Sequence, residues 1–400
     1  MRVALLADFV EEGWPSMDLV ADMLRVHLAA LPEPELQIEM LRPAMQRRFG
    51  RGRAGAAWTL DRLLNRLVEY PRFLRRQRLR FDLFHVVDHS YSQLIHELPA
   101  ARTVVTCHDL DTFRCLWESG GGRGPIFRAM TRRILTGLQR AAHVCCDSEA
   151  TRDEILERRL LPAGRLTVVR LGLRPEFAVT PDPAGTLRIS ELIDAGNASS
   201  IGSTVDLLHV GSTSARKRID VLLETFARVR REIEPRARLL RVGGALTPAQ
   251  QAFAQKLQLP SGSVLTLPFL SPTELAAVYR HAALTLLPSD AEGFGLPVIE
   301  ALACGSPLLA SDLPVLREVG GSAAEYAPVA NVEAWVARIR ELLAERRAAP
   351  AAWEARRTRC REQGRRFSWE STARQTMEIY RRVWSAAAKS TDSPPQTLAG

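Results

Sequence analysis

Long apolar runs are missing from this 400-residue sequence. A membrane-spanning helix needs about 20 consecutive apolar residues, and no run approaches that length, so we expect any contact with a bilayer to be peripheral. The apolar start of the chain, residues 3–7, is followed at once by Asp8 and lacks a small-residue cleavage site, which indicates a buried strand rather than a signal peptide. These features predict a cytoplasmic protein.

Paired cysteines and metal-binding motifs are also missing. The six cysteines show no C-x-x-C spacing, and the eight histidines form no H-E-x-x-H motif. A disulfide framework and a zinc site are therefore not expected. Asp109 and Asp111 have no further candidate ligands beside them, so we predict a protein that works without a bound metal ion.

The overall composition is typical of a globular protein. Hydrophobic residues make up 46% of the chain and charged residues 25%, which argues against disordered and fibrous classes. At roughly 150 residues for each domain, a chain of this length corresponds to two or three domains. We therefore expect more than one folded unit.

Positive charge is concentrated in one segment, residues 42–80, which begins at Arg42 and ends at Arg80. The segment contains twelve arginines but only two acidic residues, Asp61 and Glu69, so it carries +10 in a chain whose total is +9. Apolar residues recur between the arginines at helical spacing, which gives a basic amphipathic stretch. Such a stretch suits an anionic lipid surface, but a solvated helix packed on its own domain fits equally well. Aromatic residues are sparse and no nucleic-acid motif appears, so we expect no nucleic-acid partner.

Short strand-like runs alternate with helix-length segments in two successive sets, separated by a stretch rich in Pro, Gly and Ser. This alternation predicts an α/β fold in which helices cover mostly parallel sheets. We expect two doubly wound, Rossmann-like domains facing across a cleft, with ligands at the carboxyl ends of the strands. The predicted segments are residues 1–180 and 205–370 for the two domains, 181–204 for a linker, 371–388 for a C-terminal helix that returns to the N-terminal domain, and 389–400 for a disordered tail.

The stretch Glu292-Gly-Phe-Gly-Leu-Pro-Val-Ile-Glu300 has the most specific chemistry in the chain. It follows a predicted strand, and Leu296 and Pro297 open a helix that ends before Gly305. Glycines let the backbone approach a ligand closely, and the free N–H groups at a helix start bind anions. Glu292 and Glu300 flank this point and can accept hydrogen bonds from hydroxyl groups. The pattern favours a diphosphate with a ribose and a hexose beside it.

Two other predicted strands end in candidate residues. Gly211 is followed by Arg216, Lys217 and Arg218 just before a helix, where positive charges oppose the helix dipole unless an anion offsets them. This loop favours a phosphate, with a solvated basic turn as the alternative. His108 can donate to a sugar hydroxyl or transfer a proton near neutral pH, with a hydrogen-bonded structural histidine as the alternative.

These residues resemble glycosyltransferase family 4, the group 1 glycosyl transferases, whose members have the GT-B architecture and use retaining, metal-independent chemistry. The resemblance rests above all on the acid-x7-acid motif at Glu292 and Glu300 and on Arg216 with Lys217. It extends into the first half of the chain through Val104-Val-Thr-Cys-His-Asp109. The first 80 residues match only loosely.

The family resemblance implies a role for each matching residue. Glu292 would face the donor sugar, Glu300 would hold the ribose hydroxyls, and Lys217 with Arg216 would stabilise the departing phosphate. His108 would touch the sugar near the reaction centre, so the implied catalytic set is His108, Lys217 and Glu292. The implied donor-binding set is Gly13, Arg216, Lys217, Leu270, Glu292, Gly293, Phe294, Gly295, Leu296 and Glu300.

The sequence departs from the family pattern at three loops. Gly13 stands alone where members often have two glycines, and Pro268 replaces a usual glycine before the loop expected to face the base. Ser212 follows Gly211 where many members have arginine, and Arg216 or Arg218 would substitute for it.

The resemblance predicts a retaining hexosyltransferase, with mannosyl as one candidate group, that needs no cofactor besides its nucleotide-sugar co-substrate. Residues 205–370 would bind the donor, and residues 1–180 a glycan or lipid-linked acceptor. Independently of the resemblance, the basic segment from Arg42 to Arg80 is the candidate for peripheral attachment to the inner membrane face. A nucleotide-sugar epimerase of the same fold and a non-catalytic basic membrane-binding protein are the alternatives. A glycosidase is disfavoured because its two acids must flank one bond, and here they flank an anion site.

Overall fold

The computed structural model describes residues 1–50, 52, 55–117, 124–178, 182–195 and 205–391. They divide into two compact units. The first consists of Met1–Gly172 with the segment from Trp369 onward, and the second is Leu173–Ser368.

The first unit is built on a six-stranded parallel sheet. Its strand order is β2-β1-β3-β4-β5-β6, with strands β1 Arg2–Leu6, β2 Gln37–Leu41, β3 Leu83–Val86, β4 Thr103–Cys107, β5 His143–Cys146 and β6 Leu166–Val168. The α-helices are α1 Pro15–Ala29, α2 Gly55–Leu64, α3 Tyr70–Gln77, α4 Pro125–Arg140 and α5 Glu149–Glu157, with a π-helical turn, Asn65–Glu69, between α2 and α3. Short 3-10 turns include Val10–Glu12 and His89–Glu97.

A long C-terminal helix, labelled α15 (Trp369–Thr391), completes the first unit. The Tyr380 hydroxyl on this helix lies 2.7 Å from Nδ1 of His85 on β3, so the helix is bonded directly to the sheet. A Cβ at Gly172 would lie 2.1 Å from the Trp369 backbone nitrogen, so only glycine allows the helix start to pack so closely. Helices on both faces explain why strands β3, β4 and β5 are buried along their whole length.

The second unit repeats the arrangement with a sheet of order β12-β11-β10-β7-β8-β9, again with every described pairing parallel. Its strands are β7 Asp206–Val210, β8 Arg238–Val242, β9 Val264–Thr266, β10 Leu284–Leu287, β11 Leu308–Ser311 and β12 Glu325–Ala327. Its α-helices are α6 Pro175–Ala178, α7 Pro183–Ala195, α8 Ile219–Glu232, α9 Pro248–Lys256, α10 Pro272–His281, α11 Leu296–Ala303, α12 Pro314–Gly320, α13 Val332–Ala348 and α14 Pro350–Gly364. Two doubly wound units of this kind are the GT-B architecture that the sequence predicted.

Local signals locate several of these elements. The start of α10 is a capping box, in which the Ser271 side chain accepts from the Glu274 N–H and the Glu274 side chain accepts from the Ser271 N–H. Helix α11 begins at Leu296, with Pro297 in its first turn, and is followed by Gly305 at a φ of +67°. The boundaries of α11 agree with those predicted from the sequence.

The predicted segment boundaries differ from the structure at three places. The first domain was predicted to end at residue 180 and the second to begin at 205, but the first unit breaks after Gly172 and the second begins at Leu173. Residues 183–195 of the predicted linker form helix α7, which buries Ile189 and Ile193 at a four-residue spacing, while residues 181 and 196–204 lie outside the described residues. The predicted tail began at residue 389, but α15 continues through Thr391, and residues 392–400 lie outside the described residues. None of the described helices is long and apolar enough to cross a membrane.

Candidate functional site

The loop after β10 turns sharply into α11. Gly295 takes a φ of +93°, and a Cβ there would lie 3.0 Å from Leu316 Cδ2, so this position requires glycine. The helix then starts at Leu296. Pro297 has no N–H and the Val298 N–H donates to the Gly295 carbonyl at 2.8 Å, so the start of α11 offers an anion the Leu296 N–H and the positive end of the helix dipole.

Glu292 lies in this loop with only 6% of its side chain exposed. Lys217 Nζ contacts its Oε1 at 2.5 Å, and the Ser289 hydroxyl donates to the same oxygen at 2.6 Å. Arg216 Nη1 lies 3.4 Å from Oε2 and also donates to the Ala291 carbonyl at 3.1 Å. We call Glu292, Lys217, Arg216 and Ser289 the Glu292 cluster. With two cations and one carboxylate, it has a net positive charge beside the start of α11.

The loop after β7 supplies both cations of the cluster. Its last part, Ala215–Lys217, is a 3-10 turn, and Arg218 takes a φ of +47° before α8 begins. The Asp290 N–H donates to the Arg216 carbonyl at 2.9 Å, which fastens this turn to the loop after β10. Arg218 instead pairs with Asp220 at 2.8 Å. Of the three predicted phosphate-binding cations, Arg216 and Lys217 therefore meet Glu292, and Arg218 does not.

Glu300 lies one turn into α11 and accepts a hydrogen bond from the Tyr279 hydroxyl at 2.9 Å. Burial raises the pKa of Glu300 to about 7, although the Tyr279 hydrogen bond and the Arg174 charge oppose the increase. This carboxyl therefore changes charge near neutral pH. Its remaining lone pairs can accept hydrogen bonds from a diol.

The apolar members of the predicted donor set are mostly buried. Phe294 is 4% exposed and packs edge-on against Phe367, with ring centroids 5.8 Å apart. Leu270 is 8% exposed, whereas its neighbour Phe269 is 95% exposed. Phe294 can therefore offer a ligand its backbone rather than its ring, and Phe269 has the accessible ring in the loop predicted to face a base.

His108, in the first unit, is buried between two acceptors. Its Nδ1 contacts Asp147 Oδ2 at 2.5 Å, and its Nε2 contacts the Val87 carbonyl at 2.9 Å. A carbonyl only accepts, so Nε2 donates, and an ionised Asp147 makes Nδ1 a donor as well. Burial disfavours the cation, but the Asp147 charge and hydrogen bond outweigh burial and raise the pKa of His108 to about 9. Both ring nitrogens thus have protein partners, which favours the structural interpretation. A catalytic role for His108 stays a prediction.

Gly13 follows a 3-10 turn after β1 and takes a φ of +71°. Its N–H donates to the Val10 carbonyl at 3.0 Å, and a Cβ there would meet nothing within 4 Å. The conformation explains why a glycine stands here. The predicted contact of Gly13 with the donor stays a prediction.

Comparison with known proteins identifies the family. Residues 199–367 match the family described as glycosyl transferases group 1, and residues 19–177 match glycosyltransferase family 4. The chain belongs to glycosyltransferase family 4. The glycosyltransferase is 28% identical over 323 residues to O-antigen chain mannosyltransferase B of Escherichia coli, an alignment that covers 79% of this chain and 80% of that one.

A second relative and a solved structure agree with this assignment. The glycosyltransferase is 39% identical over 183 residues to D-inositol 3-phosphate glycosyltransferase of Segniliparus rotundus. This alignment covers 43% of this chain but only 38% of the length of that protein. Its fold matches sucrose-phosphate synthase of Thermosynechococcus elongatus with a TM-score of 0.74 at 20% identity, over 96% of this chain and 100% of that one. The protein is therefore a transferase of GT-B fold that uses a nucleotide sugar.

Sequence reasoning missed three residues that hold the predicted ones in place. Ser289 donates to Glu292, Tyr279 donates to Glu300, and Asp147 pairs with His108. Asp147 directly follows the buried strand β5 and Ser289 is the second residue after the buried strand β10, a signal that could have found them. Tyr279 lies on a different helix from Glu300, and nothing in the local sequence indicates the contact.

The glycosyltransferase also has a buried carboxyl pair at the ends of β1 and β3 that the sequence did not suggest. Burial and the neighbouring Asp88 raise the pKa of Asp8 well above its usual value. Burial opposes ionisation of Asp88 too, but the His89 charge and the hydrogen bond from Asp8 lower its pKa below the usual range. Asp8 therefore holds its proton more strongly than Asp88 does.

Proposed function

We propose that this protein is a retaining, metal-independent hexosyltransferase whose donor diphosphate binds at the Glu292 cluster and the start of α11. The observation that carries the proposal is the convergence of Lys217 and Arg216 on Glu292 beside that helix start. One net positive charge, the Leu296 N–H and the positive end of the helix dipole together match a diphosphate.

The leaving group gains negative charge as the bond from the sugar to the diphosphate breaks. Fixed donors placed where that charge develops stabilise the transition state more than they stabilise the bound substrate. Lys217 is 9% exposed on its side chain, so its charge acts with little screening by water. In this proposal the two cations supply the positive charge that other transferases obtain from a metal ion.

The two glutamates would orient the donor. A carboxylate has about four sites for accepted hydrogen bonds; Lys217, Ser289 and Arg216 use part of the capacity of Glu292. What remains can accept from hexose hydroxyls. Glu300, which keeps lone pairs besides the one that accepts from Tyr279, would take the ribose diol. The E. coli relative is a mannosyltransferase by name, which supports mannose as the first sugar to test.

The acceptor is proposed to be a glycan or a lipid-linked glycan. For residues 42–80 the sequence left open a basic face for an anionic membrane and a solvated helix packed on its own domain. Eight of the ten arginines that the structure describes there pair with carboxylates of the same unit. Among those described arginines, Arg76 and Arg78 make no ion pair. Leu79, between Arg78 and Arg80, is 89% exposed. We propose that any attachment to a cytoplasmic membrane face depends on these three residues rather than on the whole +10 segment.

The function is tested by following nucleoside diphosphate release from GDP-mannose, UDP-glucose and ADP-glucose, with and without polysaccharide or lipid-linked acceptors. We expect release from one donor, faster with acceptor, unchanged by a metal chelator and roughly 100-fold or more slower in Lys217→Ala. Conversion of a nucleotide sugar into its epimer without acceptor would contradict the proposal. Product NMR then tests retention through the anomeric coupling constant.

Membrane attachment is tested by sedimentation with vesicles that contain phosphatidylglycerol. Arg76→Glu with Arg78→Glu should abolish binding, whereas Arg72→Glu is the matched control because Arg72 is already paired with Glu69. Equal loss in both variants would favour the general basic face, and no binding by the unaltered protein would exclude attachment of this kind.

A further inference from the structure

Strand β8 contains two buried arginines with opposite surroundings. Arg238, at the start of the strand, pairs with Asp206 through two bonds of 2.7 and 2.8 Å. Arg241, three residues further along, is 0% exposed and donates to two backbone carbonyls, Gly211 at 3.2 Å and Gly244 at 3.4 Å. Within the described part of the chain, Arg241 makes no ion pair, and its Nε has no hydrogen-bond partner.

The neighbour of Arg241 on β7 is His209, its direct partner in the strand register. His209 is also 0% exposed, and neither of its ring nitrogens has a hydrogen-bond partner among the described residues. Burial, with the charges of Arg241 and Lys217, keeps the pKa of His209 well below its usual value, so the ring is neutral. The charge of the Arg241 guanidinium is therefore not offset from this side.

Gly211 connects Arg241 to the Glu292 cluster. A Cβ at Gly211 would lie 3.1 Å from His209 Cε1 and 3.6 Å from Lys217 Cδ, so these side chains lie around one point of the backbone. Gly243 takes a φ of +120°, and a Cβ there would lie 2.3 Å from the Gly211 carbonyl that Arg241 binds. The loops after β7 and β8 thus meet over the Arg241 guanidinium, on the side where the diphosphate is proposed to bind.

An unpaired charge in a protein interior is costly, and proteins retain one only where something offsets it. The other cations of this loop have partners already, since Arg216 and Lys217 pair with Glu292 and Arg218 pairs with Asp220. We propose that Arg241 is a positioning residue for the donor diphosphate, fixing the loops after β7 and β8 and holding a buried positive charge that the bound diphosphate offsets. This inference rests on the proposed placement of the diphosphate.

The test compares methionine variants of the two arginines of β8, with inorganic pyrophosphate as the probe because it has no base or sugar. Arg241→Met should weaken pyrophosphate binding about tenfold, as expected for the loss of one partly buried charge near the ligand. Its melting temperature without ligand should fall less than that of Arg238→Met, which leaves Asp206 without its bidentate partner. Arg238→Met should keep the pyrophosphate affinity of the unaltered protein.

Arg241→Lys separates charge from loop structure. It retains the charge but not the two-carbonyl geometry, so it should recover most of the pyrophosphate affinity that Arg241→Met loses. An affinity as weak as that of Arg241→Met would overturn the charge role, and unchanged binding in Arg241→Met would overturn the inference altogether. If the unaltered protein does not bind pyrophosphate, or Lys217→Ala binds it equally well, the proposed diphosphate site itself is wrong.

Discussion

Glu300 gives the glycosyltransferase a pH dependence that can be worked out from its surroundings. Burial raises its pKa from the usual 4.5 to about 7, so the fold favours the protonated carboxyl. Below pH 4.5 the carboxyl is protonated in both the folded and the unfolded state, so it does not lower the stability. Between pH 4.5 and about 7 only the unfolded state loses the proton, so the free energy of unfolding falls as the pH rises. Above about pH 7 both states are ionised and the loss stays constant. At roughly 1.4 kcal/mol for each pH unit between the two pKa values, the loss in free energy of unfolding is at most about 3 kcal/mol.

The substitution Glu300→Gln removes this titration and retains an acceptor for Tyr279. The variant should therefore gain melting temperature relative to the unaltered protein as the pH rises from 5 to 8. For a unit of this size, 3 kcal/mol corresponds to a change of about 6–12 °C in the difference between the two proteins. Scanning calorimetry of both proteins in matched buffers measures it, because the other titrating groups are common to both and cancel.

Nucleotide binding supplies a second measurement for the same carboxyl. If ribose hydroxyls donate to ionised Glu300, affinity for a nucleoside diphosphate should fall below pH 7, by up to tenfold for each pH unit. The diphosphate also titrates, but its contribution is present in Glu300→Gln, so the ratio of the two dissociation constants isolates Glu300. A difference in melting temperature and a ratio of affinities that both stay constant from pH 5 to 8 would refute the reasoning.

Three further outcomes follow from the site. Lys217→Ala should lower turnover roughly 100-fold or more, with a smaller loss of stability because Arg216 still pairs with Glu292; activity within threefold of normal would exclude the role. Gly295→Ala should destabilise the second unit by about 1–3 kcal/mol in chemical denaturation, because its Cβ meets Leu316 in a left-handed conformation. The stabilisation that protonated His108 supplies should be full below pH 6.5 and disappear as the pH rises through about 9. The difference in free energy of unfolding between the unaltered protein and His108→Gln should therefore shrink over that range. A constant difference would show that the His108–Asp147 pair does not titrate.

The sequence allowed the local part of the site to be predicted, because the signals for it are local. Pro297 and Gly305 bound α11, and the two glycines before it indicate a close backbone approach, so the strand, loop and helix could be placed. The pairing of Lys217 with Glu292 spans 75 residues. It exists because β7 lies beside β10 in the sheet, an order that a single sequence does not specify.

Contacts between distant residues also limited the prediction of charge in the basic segment. The twelve arginines of residues 42–80 are visible in the sequence, but several of their partners, such as Glu12, Asp18 and Glu97, come from outside the segment. Composition therefore overstated the free positive charge of that face. Composition also hid helix α7, whose apolar positions Ile189 and Ile193 lie between stretches rich in Pro, Gly and Ser.

A crystal structure of the protein with its donor nucleoside diphosphate tests the central claim most directly. The account predicts phosphate oxygens within hydrogen-bond distance of Lys217 Nζ and of the Leu296 N–H at the start of α11, with the ribose hydroxyls on Glu300. A diphosphate bound away from the Glu292 cluster, or a ribose that does not contact Glu300, would contradict it.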